Sequence, residues 1–89
     1  MTNSYTNSIP ILDGSQAFPY TVTSTHDGWL NVVRLLPSAV GAHIEINGML
    51  LASSGSALKE TEGLLFPIKS GDTIQFKNLD TASRAKIIW

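Results

Sequence analysis

The segment His43–Ala52 reads HIEINGMLLA and predicts a β-hairpin. Its first half alternates polar and apolar residues, which is typical of a strand with one buried face. The dipeptide Asn47-Gly48 that follows is a strong signal for a two-residue hairpin turn. The second half places three apolar residues in succession: Met49, Leu50 and Leu51. Because neighbouring side chains of a strand point to opposite faces, one of the three must point away from the core.

The turn also predicts which residues pair across the hairpin. Partners are found by counting outward from the turn, and partners share a face of the sheet. The predicted pairs are Ile46–Met49, Glu45–Leu50, Ile44–Leu51 and His43–Ala52. The predicted core face therefore carries Ile44, Ile46, Met49 and Leu51. The opposite face carries His43, Glu45 and Ala52 together with Leu50, which is the one large apolar residue on it.

The rest of residues 17–89 predicts an all-β domain. Short runs rich in β-branched, aromatic and aliphatic residues alternate with turn residues every 8–12 positions, as in antiparallel sandwiches and small barrels. The runs are AFPYTVT, WLNVVRLL, HIEI, MLLAS, LLFPI, TIQFK and AKIIW. We therefore expect an antiparallel β-sandwich of about seven short strands, with no βαβ unit.

The run WLNVVRLL, residues 29–36, is apolar on both of its predicted faces. Period two places Trp29, Asn31, Val33 and Leu35 on one face, and Leu30, Val32, Arg34 and Leu36 on the other. A strand that is apolar on both sides is usually covered on both sides. In contrast, TIQFK alternates cleanly, with Ile74 and Phe76 inward. We predict an interface between copies of the chain, carried by Leu30, Val32, Leu36 and Leu50.

Residues 1–16 are rich in Asn, Ser and Thr and contain Pro10 and Gly14, so they predict an N-terminal arm that is flexible or becomes ordered on a partner. The apolar stretch inside it favours attachment to a larger particle. The candidate attachment residues are Ile9, Pro10, Ile11 and Leu12.

Composition excludes several classes of protein. The net charge is −1 and basic residues are sparse, which argues against an electrostatic nucleic-acid binder. The four cations Lys69, Lys77, Arg84 and Lys86 are interpreted as a solvated face. There are no cysteines, no apolar run long enough to span a bilayer and no signal-peptide pattern at the N-terminus. We therefore expect synthesis in a cytoplasm, no membrane partner, and a small core that gains stability from oligomerisation.

Catalytic and metal-binding patterns are weak. His26 and Asp27 are adjacent in sequence and point in different directions, and His43 and Glu45 share a strand face without an evident third ligand. The glycines mark turns, with no phosphate-binding loop or nucleophile elbow. We expect a protein that is not an enzyme, with no cofactor, no metal site and no catalytic residues.

The pattern TSTHDGWLNVV…HIEINGMLLAS…FPIKSGDTIQFKN…AKIIW resembles small β-sandwich modules of tailed-bacteriophage virion proteins, found in fibre tips and capsid-decorating proteins. The resemblance covers residues 20–89. Its Gly-Asp turn before a strand is also common in jelly rolls and in folds like that of tumour necrosis factor. The final AKIIW differs from the aromatic-Pro ending that is common in such modules.

The resemblance implies a homotrimeric structural protein of the virion. A complete chain of 89 residues has no room for a fibre shaft, so we expect a capsid decoration or cement protein that binds the major capsid protein or another virion protein. The alternative is a fibre-tip or receptor-binding module that recognises a cell-surface glycan. The two differ in whether the protein binds assembled capsids or glycans.

Overall fold

The structure, a computed structural model, describes residues 7–39, 41–53 and 61–89. These residues form eight antiparallel strands and no helix, which confirms the expected all-β class. The strands are β1 (Ser8–Leu12), β2 (Tyr20–Thr23), β3 (Gly28–Leu35), β4 (His43–Ile46), β5 (Met49–Ser53), β6 (Thr61–Ile68), β7 (Thr73–Lys77) and β8 (Arg84–Ile88). Within the described ranges there is no helix that could cross a membrane.

The strands pack as a jelly-roll sandwich of two four-stranded sheets. Sheet I has the order β1-β8-β3-β6 and sheet II the order β2-β7-β4-β5. The first strand pairs with the last, the second with the seventh, the third with the sixth and the fourth with the fifth. This is one long antiparallel ribbon rolled up so that successive strand pairs alternate between the sheets. The confirmed β-sandwich thus has the hairpin β4–β5 at the end of its ribbon.

The turn of that hairpin has the backbone that its sequence predicts. Asn47 and Gly48 both have positive φ, 52° and 81°, as the central residues of a type I′ turn require. The pairs nearest the turn, Ile46–Met49 and Glu45–Leu50, are confirmed.

Beyond these two pairs the predicted register is wrong. Ile44 pairs with Ala52 and His43 with Ser53, because β5 contains one extra residue, Leu51, between Leu50 and Ala52. Such a β-bulge shifts every later pair by one position. The bulge accommodates the third apolar residue of the MLL run, which the simple alternation could not.

The core lies between the inner faces of the two sheets. Its largest fully buried side chains include Phe76, Leu30 and Ile44. Met49, predicted to belong to this core, is 73% exposed. It pairs with the buried Ile46, but it lies beside the turn on β5, which is the edge strand of sheet II among the described residues. The core residues are Ile11, Leu12, Leu30, Val32, Leu35, Ala42, Ile44, Ile46, Ile68, Ile74, Phe76, Leu79, Ala85 and Ile87.

Residues 8–12 of the predicted arm at residues 1–16 form an integral strand of sheet I, so the predicted domain start at residue 17 is wrong and the domain includes β1. β1 pairs with the C-terminal strand β8, and the backbones of Asn7 and Trp89 exchange two hydrogen bonds of 3.0 and 3.1 Å. Ile11 and Leu12 are buried, whereas Ile9 is 41% exposed and Pro10 is exposed. Ile11 and Leu12 are therefore core residues and unavailable for attachment. Residues 1–6 lie outside the described residues.

Candidate interaction surface

A second bulge decides which side chains of β3 face outward. β3 contains one extra residue relative to β8 between Val32 and Arg34, so Val33 and Arg34 are both exposed. The alternation changes parity at that point, and Leu35 is buried. Neither the odd-numbered nor the even-numbered residues of β3 therefore form a continuous inner or outer face. Each predicted face mixes inward and outward residues, which is why both contain buried apolar side chains.

The four candidate interface residues therefore lie in different places, some in the core and some at the surface. Leu30 and Val32 are 0% exposed, so their prediction as outward interface residues is wrong. Leu36 follows the end of β3 and is half-buried, with its backbone N–H donating to Ser83 Oγ at 2.9 Å. Leu50 is 66% exposed, in agreement with its predicted outward position. Whether it contacts another copy stays a prediction.

The centre of the outer face of sheet I is nevertheless largely apolar, with the exposed Arg34 and Arg84 at one end. Trp29 has Ile88 and Pro67 as its neighbours on the two flanking strands. In the next outward row, Asn31 has Lys86 on one side and Leu65 on the other. Val33 and Leu65 are 43% and 51% exposed. We call this surface the sheet I face; its rows carry Pro10, Trp29, Asn31, Val33, Leu65, Pro67, Lys86 and Ile88, and the exposed Arg34 and Arg84 lie at its end beside Val33.

The outer face of sheet II has the opposite character. Apart from Leu50 at its edge, its outward side chains, where the structure describes them, are polar. They are Thr21, Thr23, His43, Glu45, Thr73, Gln75 and Lys77. The outer face of sheet II is thus suited to contact with water, whereas the outer face of sheet I resembles a face that another surface covers.

The most connected polar cluster of sheet II is built on Glu45. Its Oε2 lies 2.9 Å from His43 Nε2 and 3.2 Å from Lys77 Nζ. His43 Nδ1 lies 2.6 Å from the Gly41 carbonyl oxygen, so both ring nitrogens face oxygen acceptors. The hydrogen bond from His43, followed by that from Lys77, lowers the pKa of Glu45 below its ordinary value of 4.5. The cluster therefore ties β4 to β7 across the sheet.

These polar groups do not assemble a metal site within the described ranges, where no three His, Asp or Glu side chains converge. His26 and Asp27 have different partners. Asp27 Oδ1 accepts a hydrogen bond from the Ser70 backbone N–H at 2.8 Å, while the His26 ring stacks on Trp89 at 3.6 Å between centroids. The pair therefore lacks the mutual contact that a catalytic dyad needs.

An apolar cleft opens between the two edge strands β5 and β6. Its volume is about 340 Å³, near the lower limit for small-molecule sites. We call it the hairpin cleft; it is lined by Ile46, Asn47, Met49, Leu50, Leu51, Phe66 and Asp72.

The polar end of the cleft is held in place by hydrogen bonds. Asn47 Nδ2 donates to Asp72 Oδ1 at 3.0 Å, and the Lys69 backbone N–H donates to Asp72 Oδ2 at 2.8 Å. The bond from Asn47, and then that from Lys69, lowers the pKa of Asp72 below its ordinary value of 3.8. Asp72 is therefore an ionised carboxylate at neutral pH.

Most residues of the sheet I face were not predicted from the sequence. The run from Gly63 to Ile68 did contain a usable signal, because its alternation leaves Leu65 and Pro67 opposite to the buried Ile68. The sequence does not show that Trp29 and Val33 point outward while Leu35 points inward, because no sequence pattern marks the bulge at Val33.

Comparison of the chain with family models, with curated proteins and with solved structures found no match to any of the three. The inferences about function therefore rest on the surfaces described above and on the resemblance noted from the sequence.

Proposed function

We propose that this chain is a non-enzymatic structural protein that associates with copies of itself through the sheet I face. The observation that carries the proposal is the contrast between the two outer faces. Sheet II exposes threonines and a charged cluster, whereas sheet I exposes Val33 and Leu65 beside the half-buried Trp29. A contiguous exposed apolar patch marks an interaction site, and a protein–protein contact is one of the kinds it serves.

The setting we propose is the virion of a tailed bacteriophage, as a capsid decoration or cement protein that is a homotrimer. The jelly-roll topology supports this setting, since viral capsid domains use the same architecture. A fold alone does not assign a function, so the resemblance of the sequence and the apolar face support the setting jointly.

The self-association is tested by the native mass of the purified chain, measured by sedimentation and light scattering over a range of concentrations. A trimer is expected for the unmodified chain and monomers for Val33→Glu, because a charge in an apolar contact is costly to desolvate. The matched control is Thr21→Glu on the polar outer face, which should keep the trimer. A monomeric unmodified chain at every concentration would refute the proposal.

The virion setting has its own test. The chain should co-sediment with assembled capsids of the bacteriophage that encodes it, in a stoichiometry that saturates. Failure to bind those capsids while remaining trimeric would remove the decoration role and leave self-association standing.

The second candidate is recognition of a cell-surface glycan. It is favoured by Trp29 on the outer face of sheet I, with the amide of Asn31 on the same face. An indole of this kind offers a broad apolar surface, and an amide offers both donors and an acceptor. Selective binding on a glycan array that Trp29→Ala abolishes, without any binding to capsids, would favour this function over decoration.

A further inference from the structure

Two apolar surfaces of the molecule meet along the edge strand β6. Leu65 points outward into the sheet I face, whereas the next residue, Phe66, lines the hairpin cleft. On the other side of the cleft, Met49 and Leu50 are 73% and 66% exposed. The apolar surface therefore continues around the edge of the sandwich, from the outer face of sheet I to the tip of the β4–β5 hairpin.

The outer side of sheet I carries the cations Lys86, Arg34 and Arg84, whereas the hairpin cleft is lined by the carboxylate of Asp72, with Lys69 nearby. Lys86 lies within the sheet I face, and none of the carboxylates that the structure describes forms an ion pair with it. Asp72 lies at the polar end of the hairpin cleft and is ionised at neutral pH. A cation on an apolar face is satisfied best by an anion that the covering surface supplies.

This pairing argues against a symmetric contact in which two sheet I faces stack on each other. Such a contact would place two Lys86 side chains against the same apolar layer, where none of the carboxylate side chains that the structure describes lies. It would also leave Met49 and Leu50 exposed. A contact between unlike surfaces removes both defects, since it brings a carboxylate to Lys86 and covers the hairpin.

We infer that the chain assembles head to tail, with the sheet I face of one copy docked on the Met49–Leu50 hairpin and cleft of the next. The occupant of both surfaces is a second copy of this chain. The inference rests on the proposed self-association and specifies its geometry. A head-to-tail contact closes a ring only when its rotation fits a whole number of copies, and otherwise it extends as a filament. The proposed trimer therefore requires a rotation of about 120° from each copy to the next.

Mixing two assembly-defective variants tests this geometry. Val33→Glu places a charge in the sheet I face and leaves the hairpin unchanged. Leu50→Glu places a charge on the hairpin and leaves the sheet I face unchanged. Each variant alone should be monomeric. Their equimolar mixture should form a one-to-one dimer and nothing larger, because only one intact face and one intact hairpin remain to meet. Thr21→Glu is the control for added charge, and thermal unfolding verifies that each variant is folded.

The outcomes separate this inference from the proposed function. If the unmodified chain is monomeric, self-association itself fails. If it is oligomeric but Leu50→Glu keeps the full mass, or the mixture of variants stays monomeric, only the head-to-tail geometry is overturned.

The predicted ion pair has a separate readout. Added salt should weaken assembly of the unmodified chain, and the variant Lys86→Gln should assemble more weakly with a smaller dependence on salt. A salt dependence that Lys86→Gln leaves unchanged would contradict the pairing of Lys86 with a carboxylate of the next copy.

Discussion

Asn47 of the β4–β5 turn and Asp72 of the β6–β7 turn are joined side chain to side chain, with 3.0 Å between Nδ2 and Oδ1. Asn47 also accepts a hydrogen bond from the Thr73 backbone N–H through its Oδ1 at 2.9 Å, and its own backbone N–H donates to the Thr73 carbonyl at 2.8 Å. One residue therefore both forms a hairpin turn and fixes that turn to the neighbouring strand. It also sets the position of Asp72 at the end of the hairpin cleft.

The two roles of Asn47 can be separated with two substitutions. Asn47→Gly keeps a residue that tolerates the positive φ of 52° and removes the side-chain bonds, whereas Asn47→Ala removes the bonds and adds backbone strain. Both variants should lower the urea midpoint of unfolding, and Asn47→Ala should be less stable than Asn47→Gly by about 1 kcal/mol. Equal midpoints for Asn47→Gly and the unmodified chain would show that the bonds to Asp72 and Thr73 add no stability.

The cluster around Glu45 predicts a pH dependence of stability. Its hydrogen bonds lower the pKa in the folded chain below the ordinary value of 4.5, so near that pH the unfolded chain binds more protons than the folded chain. The stabilising contribution of Glu45 is therefore complete above about pH 4.5 and is lost as the pH falls through the lowered pKa. Urea unfolding across this range should show the gap between the unmodified chain and Glu45→Gln closing at low pH. A gap that stays constant with pH would contradict the assignment.

The strand β1 predicts that the N-terminal segment is needed for folding. Leu12 is 2% exposed, so Leu12→Ala should cost about 2–5 kcal/mol, while Ile9→Ala at a 41% exposed position should cost clearly less. Deletion through Leu12 should leave an unfolded or molten chain, because β8 loses one of its two partner strands and the core loses the side chains of Ile11 and Leu12. Circular dichroism and thermal unfolding measure both effects. A cooperative unfolding transition in the deletion variant would restore the view of this segment as an arm.

Gly28 lies where only a glycine fits. A Cβ at this position would lie 2.2 Å from the Ile88 carbonyl oxygen and 3.0 Å from Trp89 Cβ. Gly28→Ala must displace the end of β8 and should cost about 3 kcal/mol, at the upper end of the usual range for an overpacked site.

Gly48→Ala is the matched control for Gly28→Ala. A Cβ there meets no atom within 4 Å, and its cost, about 1–2 kcal/mol, comes from the positive φ alone. If the two variants unfold at the same denaturant concentration, the close approach of β8 to Gly28 is refuted.

Local signals predicted a large part of this fold. The Asn-Gly turn, the two pairs beside it and the inward positions of Ile74 and Phe76 follow from side-chain alternation and turn chemistry. Such features depend on a few adjacent residues, so the sequence is enough to predict them.

Pairing between strands that are far apart in the sequence could not be predicted from local patterns. The local sequence of β1 predicts an arm, because its partner β8 lies at the other end of the chain and no local pattern indicates a contact over that distance. Leu30 and Val32, which were predicted to point outward, are core residues. In a strand that is apolar on both sides, only the register with neighbouring strands determines which side faces the core.

By itself the sequence determined the all-β class, the hairpin turn and the exposed position of Leu50, because alternation and turn preferences act between near neighbours. Only the tertiary structure decided the bulges at Leu51 and Val33 and, with them, which residues form the apolar sheet I face. A bulge changes the parity of a strand without a fixed sequence signature, because it depends on how two distant strands match in length and twist.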